Sequence, residues 1–270
     1  IEYGDYFRYR STALVNFGEP INVTEFVNNH KDENEAVIMN GLRELLTERL
    51  AKQISFIPDN EEYYDAIWEM TKIKSGLKGS LEERLERNQK TIKEILEWKE
   101  KEPEKAKETF EKVNKFIKKR KKKGVSITSI TKKNIVGTAL WKTLVVLLGL
   151  PAYIASAIAN LPIWLVTMLL KKNFKDKAWG NTISFATETI LHPIMTILCI
   201  VLTFCMLPWE TATLCSLLYY CSYEFFVDSS EFIRRWWSDV KLCFNKKLRK
   251  TSINLTNNFK YLLSQKRKDI

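Results

Sequence analysis

Residues 134 to 170 form an almost uninterrupted apolar run, and this run limits what the chain can fold into. It is long enough to cross a bilayer once and too long for one straight span. Gly149, Pro151, Asn160 and Pro162 interrupt its middle and predict two helical pieces of about 15 residues, each at or below the length of a span. Lysines stand at both ends, which the positive-inside rule places on the cytoplasmic side. The run therefore predicts a hairpin that dips into the membrane.

A second apolar stretch, residues 183 to 227, repeats this pattern. Its two halves meet at Pro208-Trp209-Glu210, where no cation occurs, and cations return at Arg234. Tryptophans stand near the ends of these runs, as they do in the aromatic belts of membrane proteins: Trp179, Trp209, Trp236 and Trp237. We expect a second membrane hairpin whose ends lie on the same side as those of the first.

The net charge of +11 is concentrated in clusters that flank the apolar runs. A nucleic-acid-binding domain would instead place its cations among base-stacking aromatics on a water-soluble fold. This placement predicts anionic membrane lipids as partners and no nucleic acid. The basic amphipathic tail, residues 234 to 270, is expected to lie along an anionic membrane surface.

The polar part of the chain has the signals of several helices. Residues 34 to 57 have apolar side chains at helical spacing, and Asp59 is typical of the N-cap of a second helix. Ser80 with Glu83 forms a capping box that begins a longer helix, and Pro103 suits the first turn of the next. Residues 80 to 133 are therefore predicted to form a helical hairpin. Its apolar stripe either packs onto its own domain or forms a partner surface.

Catalytic residues are not evident in the sequence. Neither histidine, His30 or His192, has neighbours that suggest catalysis, and the five cysteines lack the spacing of a metal site or disulfide framework. No phosphate-binding loop occurs, so no cofactor or metal is expected. Glu188 and Glu224 are acids within the apolar segments, where they either contact substrate or pair with Asn160 or Tyr219 across helices.

The first residues predict a strand without an evident partner. Residues 11 to 17 alternate between two faces and are followed by Gly18 and Pro20, which end the strand. A lone strand leaves its backbone donors and acceptors unpaired. We expect it to be the closing edge of a sheet whose other strands lie upstream.

The same residues carry a family resemblance. Phe7-Arg8-Tyr9-Arg10, the strand, and Phe17-Gly18-Glu19-Pro20-Ile21 resemble the end of the acyltransferase domain in the glycerol-phosphate and lysophosphatidate acyltransferases, with Tyr9 in place of the usual small residue. The stretch from Thr47 to Met70 is similar to larger glycerol-phosphate members. Segments around Pro162 and Pro193 look like the membrane-associated C-terminal extension of bacterial and fungal relatives. The resemblance touches most of the chain, but only its first part is family-wide.

The resemblance implies transfer of an acyl group from acyl-CoA or acyl carrier protein to glycerol-3-phosphate or 1-acylglycerol-3-phosphate, a step of phospholipid biosynthesis. In that family a His serves as general base, an Asp five residues later orients it, and a Gly-Thr-Arg-like motif holds the phosphate. None of these occurs here, so the catalytic half is expected upstream and no catalytic residue is assigned. Arg8 and Arg10 are candidates for phosphate or carrier binding, or lie on a solvated sheet edge.

The predicted fold is mainly α. It comprises the end of an α/β acyltransferase domain (1–79), an amphipathic helical hairpin (80–133), membrane-embedded or re-entrant helical hairpins (134–233) and the basic tail (234–270). The whole protein is expected to be a membrane-bound enzyme whose soluble parts face the cytoplasm. The alternative is a non-enzymatic, membrane-anchored scaffold whose helical hairpin recruits a partner. A carrier or channel ranks third, because two short hairpins offer little lining for a pore.

Overall fold

The computed structural model describes residues 2–4, 10–58, 61–176 and 179–264. They are mainly helical, which confirms the predicted fold class at that level. The chain divides into two compact units. The first, called the basic unit, contains residues 2–4, 12–132 and 245–264 of the described chain. The second, called the apolar unit, contains residues 10–11 and 133–244.

The basic unit consists of a short strand pair followed by helices. Its elements are β1 (Glu2–Tyr3), β2 (Ala13–Leu14), α1 (Val23–Asn29), α2 (Glu35–Ala51), α3 (Tyr64–Ser75), α4 (Leu81–Lys101), α5 (Pro103–Lys122), α6 (Ile127–Ile130) and α11 (Lys246–Ser264). The strand predicted over residues 11 to 17 is reduced to Ala13–Leu14. It pairs antiparallel with Glu2–Tyr3, so its partner lies a few residues earlier in the same chain. The expected role as the closing edge of a larger sheet stays a prediction.

Local capping chemistry determines where the long helices begin. The Ser80 side chain accepts a hydrogen bond from the backbone N–H of Glu83, as the capping box predicts. Pro103 occupies the first position of α5, where its missing N–H costs no helical hydrogen bond. Asn34 caps α2 in the same way as Ser80, by accepting from Ala36 N–H. The proposed N-cap Asp59 lies outside the described residues.

The core of the basic unit lies among α3, α4, α5 and α11. Its buried side chains are Ile57, Ala66, Ile67, Met70, Ile73, Ile92, Ile95, Trp98, Ala106, Phe110, Val113, Ile117 and Phe259. The apolar stripe of α4 thus packs onto its own unit. Phe259 shows that α11 contributes its apolar face to this core as well, which differs from the predicted position of that face on a membrane surface. Packing inside the unit and packing on a membrane surface both remove these side chains from water. An amphipathic sequence pattern is the same in both cases and does not distinguish them.

A buried ion pair joins two of these helices. The Arg120 guanidinium donates to both carboxylate oxygens of Glu69, over 2.7 and 2.8 Å, and to the carbonyl of Val125 over 2.8 Å. Both charged side chains are largely buried. This bidentate geometry compensates for the loss of water and fixes the register of α5 against α3.

In its described residues the apolar unit has four helices: α7 (Ile135–Ala159), α8 (Leu161–Lys172), α9 (Trp179–Met206) and α10 (Trp209–Phe244). The break predicted at Gly149 and Pro151 is absent, because α7 continues through Pro151 while it packs along α10. The chain breaks at Asn160 instead, and Pro162 lies in the first turn of α8. Likewise α10 does not end near Arg234, where the basic tail was predicted to begin, but continues to Phe244.

Hydrogen bonds show how these helices are arranged. Ile135 contacts Cys243, Thr143 contacts Trp236 and Asn160 contacts Ser222, so α7 runs antiparallel to α10. Thr203 contacts Ser216 near the Pro208 turn, and α9 runs antiparallel to α10 in turn. The predicted turn at Pro208-Trp209-Glu210 is therefore the junction between two long helices.

Candidate functional site

The apolar unit exposes large apolar side chains and buries many small polar ones. Large apolar side chains on all four helices are exposed, including Leu140, Leu148 and Ile158, with 67%, 75% and 68% of their surface accessible. Half of the buried side chains of the described unit are polar, namely Ser156, Asn160, Thr167, Ser184, Thr187, Ser238 and Asp239, and the other half include Ile163, Ala212 and Leu242. This reverses the pattern of a water-soluble fold. Two of its helices, α7 and α9, are long and apolar enough to cross a membrane.

An ion pair lies between α7 and α10 at one end of this unit. The Lys142 ammonium donates to Asp239 Oδ2 over 2.8 Å, and Asp239 is fully buried. One residue further along α7, the Thr143 hydroxyl accepts from the Trp236 indole N–H over 2.8 Å. Lys142 also lies over the ring of Phe232. These contacts explain how Lys142, the only cation within the predicted apolar run 134–170, is accommodated there.

Asn160 occupies the break between α7 and α8 and is completely buried. Its Nδ2 donates to Ser222 Oγ over 2.8 Å and to the Ser156 carbonyl over 2.9 Å. The sequence suggested Asn160 as a partner for Glu188 or Glu224, and the structure pairs it with Ser222 instead. The side-chain amide therefore joins the α7–α8 turn to the middle of α10.

The predicted polar residues of the apolar segments meet near the middle of α10. Glu224 forms an ion pair with Arg10 over 3.4 Å, although the Glu224 side chain is two-thirds exposed. The Glu188 and Glu224 carboxylates are close enough to interact electrostatically. Arg10 has a positive φ of 57°, an uncommon conformation for a non-glycine residue. Arg8, the other candidate, lies outside the described residues.

The two histidines have different surroundings. His30 bonds through Nδ1 to the Phe26 carbonyl over 2.8 Å and stacks on the Phe26 ring, which is a structural role within α1. His192 lies against Tyr219, Tyr220 and Tyr223 of α10, with ring centroids 6.3, 5.6 and 5.5 Å away. Its Nε2 is buried without a hydrogen-bond partner in the described chain. Within the described residues neither histidine forms a hydrogen bond with a carboxylate, so neither is part of a His–acid dyad.

A cavity of about 450 Å³ opens beside this tyrosine cluster, between α8, α9 and α10. We call it the α8–α10 cavity. Its lining residues are Trp164, Thr167, Met168, Lys171, Ser184, Tyr223, Phe226, Val227, Ser230, Glu231 and Arg234. Lys171 ends the apolar part of α8, and Arg234 follows the apolar part of α10. The sequence analysis assigned no role to Lys171, Tyr223 or Arg234; the return of cations at the ends of both apolar runs was the available signal.

A second concave surface belongs to the basic unit. This groove, of about 520 Å³, lies between α5 and α11. Phe116, Leu248 and Leu255 contribute apolar surface, while lysines and asparagines surround them: Lys112, Lys115, Lys119, Lys122, Lys123, Lys247, Asn245, Asn254 and Asn258. We call it the α5–α11 groove. Its charge suits an anionic partner.

The described residues offer helix-to-helix polar contacts and two concave surfaces rimmed by cations. In the described parts of the chain no cluster of His, Cys, Asp or Glu has the geometry of a metal site. All five cysteines are free thiols. The polar groups instead form helix-to-helix contacts and a cation-rimmed cavity. No protein-family model, curated protein or solved structure matches this chain.

Proposed function

We propose that the chain is the C-terminal part of a membrane-bound glycerolipid acyltransferase, in which the apolar unit is embedded in the bilayer and the basic unit lies on the cytoplasmic side. The observation that carries the membrane part is the apolar exterior, together with the polar side chains that make up half of the buried residues. Exposed leucines, isoleucines and tryptophans are costly in water and favourable against lipid chains. Buried Ser, Thr and Asn side chains are the usual contacts between membrane helices.

Length and composition support a crossing by α9, and we assign the return crossing to the first half of α10. Residues 209 to 227 of α10 are mostly apolar and rise about 28 Å, close to the thickness of the hydrocarbon layer of about 30 Å. α9 runs antiparallel beside them and carries no charged side chain after Glu188. We place the Pro208 turn on the far side of the membrane in this proposal.

The pairing of α7 with α10 supports a re-entrant α7–α8 hairpin. Thr143 and Ile135 lie beside Trp236 and Cys243, in the charged half of α10, whereas Asn160 lies beside Ser222 in the apolar half. Only the Asn160 end of the hairpin therefore enters the hydrocarbon layer deeply. α8, at 12 residues, rises about 18 Å, too little for a full crossing.

The acyltransferase part rests on the resemblance of the first 21 residues, and an uncovered apolar surface supports it. Phe17, within the Phe-Gly-x-Pro-Ile motif, is 91% exposed. Leu46 and Leu50 on α2 are also exposed, and no residue of α2 is buried. An α/β domain contributed by the same protein would cover this surface. The substrates are then an acyl donor, acyl-CoA or acyl carrier protein, and a glycerol phosphate or lysophosphatidate acceptor.

The direct test is an acylation assay on membranes from cells that express the complete native gene. Labelled glycerol-3-phosphate and 1-acylglycerol-3-phosphate are each offered with acyl-CoA or acyl carrier protein. We expect one acceptor to be acylated, and we expect Phe17→Asp to abolish this activity because it places a charge at the domain contact. Glu19→Gln, in the same exposed segment, is the matched control and retains activity. Absence of acylation with every donor and acceptor would refute the enzymatic proposal.

The α5–α11 groove favours a second candidate, a membrane-anchored scaffold that recruits an acidic partner. Lys115, Lys119 and Lys122 form no ion pair with a carboxylate of the described chain, so their charges are available. This hypothesis predicts that no acceptor is acylated in the assay above. If Phe17 has no domain to cover it, Phe17→Asp leaves membrane insertion and thermal stability unchanged.

A further inference from the structure

We infer that the α8–α10 cavity binds the phosphate group of an anionic phospholipid, with the adjoining acyl chain against its apolar wall. This inference rests on the proposed embedding of the apolar unit in a bilayer. It goes beyond the proposed function because it assigns a lipid-binding site to the membrane unit itself, separate from any acyltransferase domain.

The walls of the cavity suit the apolar part of a lipid. Trp164 and Met168 come from α8, and Phe226 and Val227 come from α10. These side chains lie where the apolar halves of both helices end. The acyl chain of a bound lipid would contact these apolar side chains, and its headgroup would lie beside the charged residues.

The mouth of the cavity carries an excess of positive charge. Arg234 and Arg235 both bind the Glu231 carboxylate, Arg235 through Nε over 2.6 Å. Lys171 forms no ion pair with any carboxylate of the described chain. One carboxylate therefore faces three cations, and two of these, Lys171 and Arg234, line the cavity. Such an arrangement attracts an anion at the level of the headgroups.

Tyr223 supplies a third donor within the cavity. The residue is 95% buried, since only 5% of its surface is accessible, and its hydroxyl forms no hydrogen bond in the described chain. The other hydroxyls that line the cavity already donate: Thr167 to the Ile163 carbonyl, Ser184 to the Gly180 carbonyl and Ser230 to the Tyr153 hydroxyl. The Tyr223 hydroxyl therefore remains able to donate a hydrogen bond to a ligand in the cavity.

These donors indicate the chemical class of the ligand. Lys171, Arg234 and Tyr223 all donate, and a phosphate oxygen only accepts. The one carboxylate of the cavity, Glu231, is already bound by two arginines, so the cation of a choline headgroup finds no free counter-ion. The site is therefore expected to prefer phosphatidate or phosphatidylglycerol to phosphatidylcholine.

The test uses the full chain purified in a neutral detergent, with binding followed by native mass spectrometry and by the thermal unfolding midpoint. The probes are dioctanoyl phosphatidate, dioctanoyl phosphatidylcholine, glycerol-3-phosphate and inorganic phosphate. We expect phosphatidate to bind and to raise the midpoint, and phosphatidylcholine of equal chain length to bind at least tenfold more weakly. If glycerol-3-phosphate or inorganic phosphate binds as tightly as phosphatidate, the site takes a free phosphate and the lipid assignment is wrong.

Three variants locate the site. Lys171→Gln and Arg234→Gln should each weaken phosphatidate binding about tenfold, because each removes a charge-assisted hydrogen bond. Tyr223→Phe should weaken it about threefold without changing the net charge. Lys172→Gln is the matched control: it removes the same charge one residue away, outside the cavity lining, and should change binding less than twofold.

Two further outcomes would overturn the inference. One is an equal loss of binding in Lys171→Gln and Lys172→Gln, which would indicate general surface charge. The other is equal binding of phosphatidate and phosphatidylcholine by the native chain. Unchanged unfolding midpoints without lipid show that the variants are folded. Because the assay needs neither acylation nor a bilayer, its failure is distinct from failure of the proposed function.

Discussion

The Nδ2 of Asn160 donates a hydrogen bond to Ser222 Oγ over 2.8 Å and thereby joins the turn between α7 and α8 to the middle of α10. Asn160 is fully buried in a unit whose exterior is apolar. In a bilayer, a side-chain amide in this position has no water to bind. Its contacts with Ser222 and the Ser156 carbonyl therefore hold the re-entrant hairpin in place.

A double-mutant cycle measures this contact. Asn160→Ala and Ser222→Ala should each destabilise the unit, and their coupling energy should be about 0.5–1.5 kcal/mol, the range found for hydrogen bonds between membrane helices. Unfolding in mixed detergent micelles, titrated with a denaturing detergent, gives the free energies. Thr213→Ala, on the same helix but about 14 Å away along its axis, is the control and should be additive with Asn160→Ala. A coupling energy of zero for Asn160 and Ser222 would show that the bond contributes nothing to stability.

The ion pair of Lys142 and Asp239 gives a second prediction. Asp239→Asn or Lys142→Met alone leaves one buried charge without its partner and should cost about 3–5 kcal/mol. The combination Lys142→Met with Asp239→Leu should recover most of that loss, since the two charges are removed together. The same unfolding titration tests both. Single variants as stable as the parent would mean that water reaches this position.

The buried ion pair of Arg120 and Glu69 gives a third prediction, for the basic unit. Arg120→Met should expose the backbone of α5 to faster amide hydrogen exchange, because it leaves Glu69 buried and the Val125 carbonyl without its donor. Lys122→Met is the matched control. Lys122 is the last residue of α5, two residues after Arg120, and its side chain is exposed. Hydrogen exchange followed peptide by peptide separates the two units of the full chain. Equal protection of α5 in both variants would contradict a structural role for this pair.

The cysteines provide a prediction about accessibility. Cys205 and Cys221 are exposed on α9 and α10, so a water-soluble maleimide should label both in detergent-free solution if this unit is surrounded by water. Embedded in a bilayer, Cys221 should instead react only after the membrane is dissolved in detergent. Cys243 is half-buried beyond the charged part of α10 and serves as the comparison. Labelling of Cys221 in intact membranes at the rate of a free thiol would argue against embedding.

Local chemistry was predictable from the sequence where one residue determines it. Ser80 with Glu83 and the first-turn position of Pro103 identify the beginnings of α4 and α5 without knowledge of the fold. The continuation of α7 through Pro151 was not predictable, because a proline removes one hydrogen bond and its effect depends on packing against α10. The burial of Phe259 and the contact of Glu224 with Arg10 depend on residues distant in sequence. The spacing of apolar residues and the distribution of charged residues along the sequence do not identify such partners.

The proposed embedding of the apolar unit is tested most directly by the depth of nitroxide spin labels in lipid vesicles. Single labels at Ile158, on the α7–α8 hairpin, and at Leu218, on α10, are compared with one at Lys118 on α5. All three side chains are exposed, so a label perturbs little. We predict that Ile158 and Leu218 collide preferentially with molecular oxygen and Lys118 with a water-soluble nickel complex. If the nickel complex reaches Ile158 and Leu218 as readily as Lys118, the apolar unit is not in the bilayer and the account is wrong.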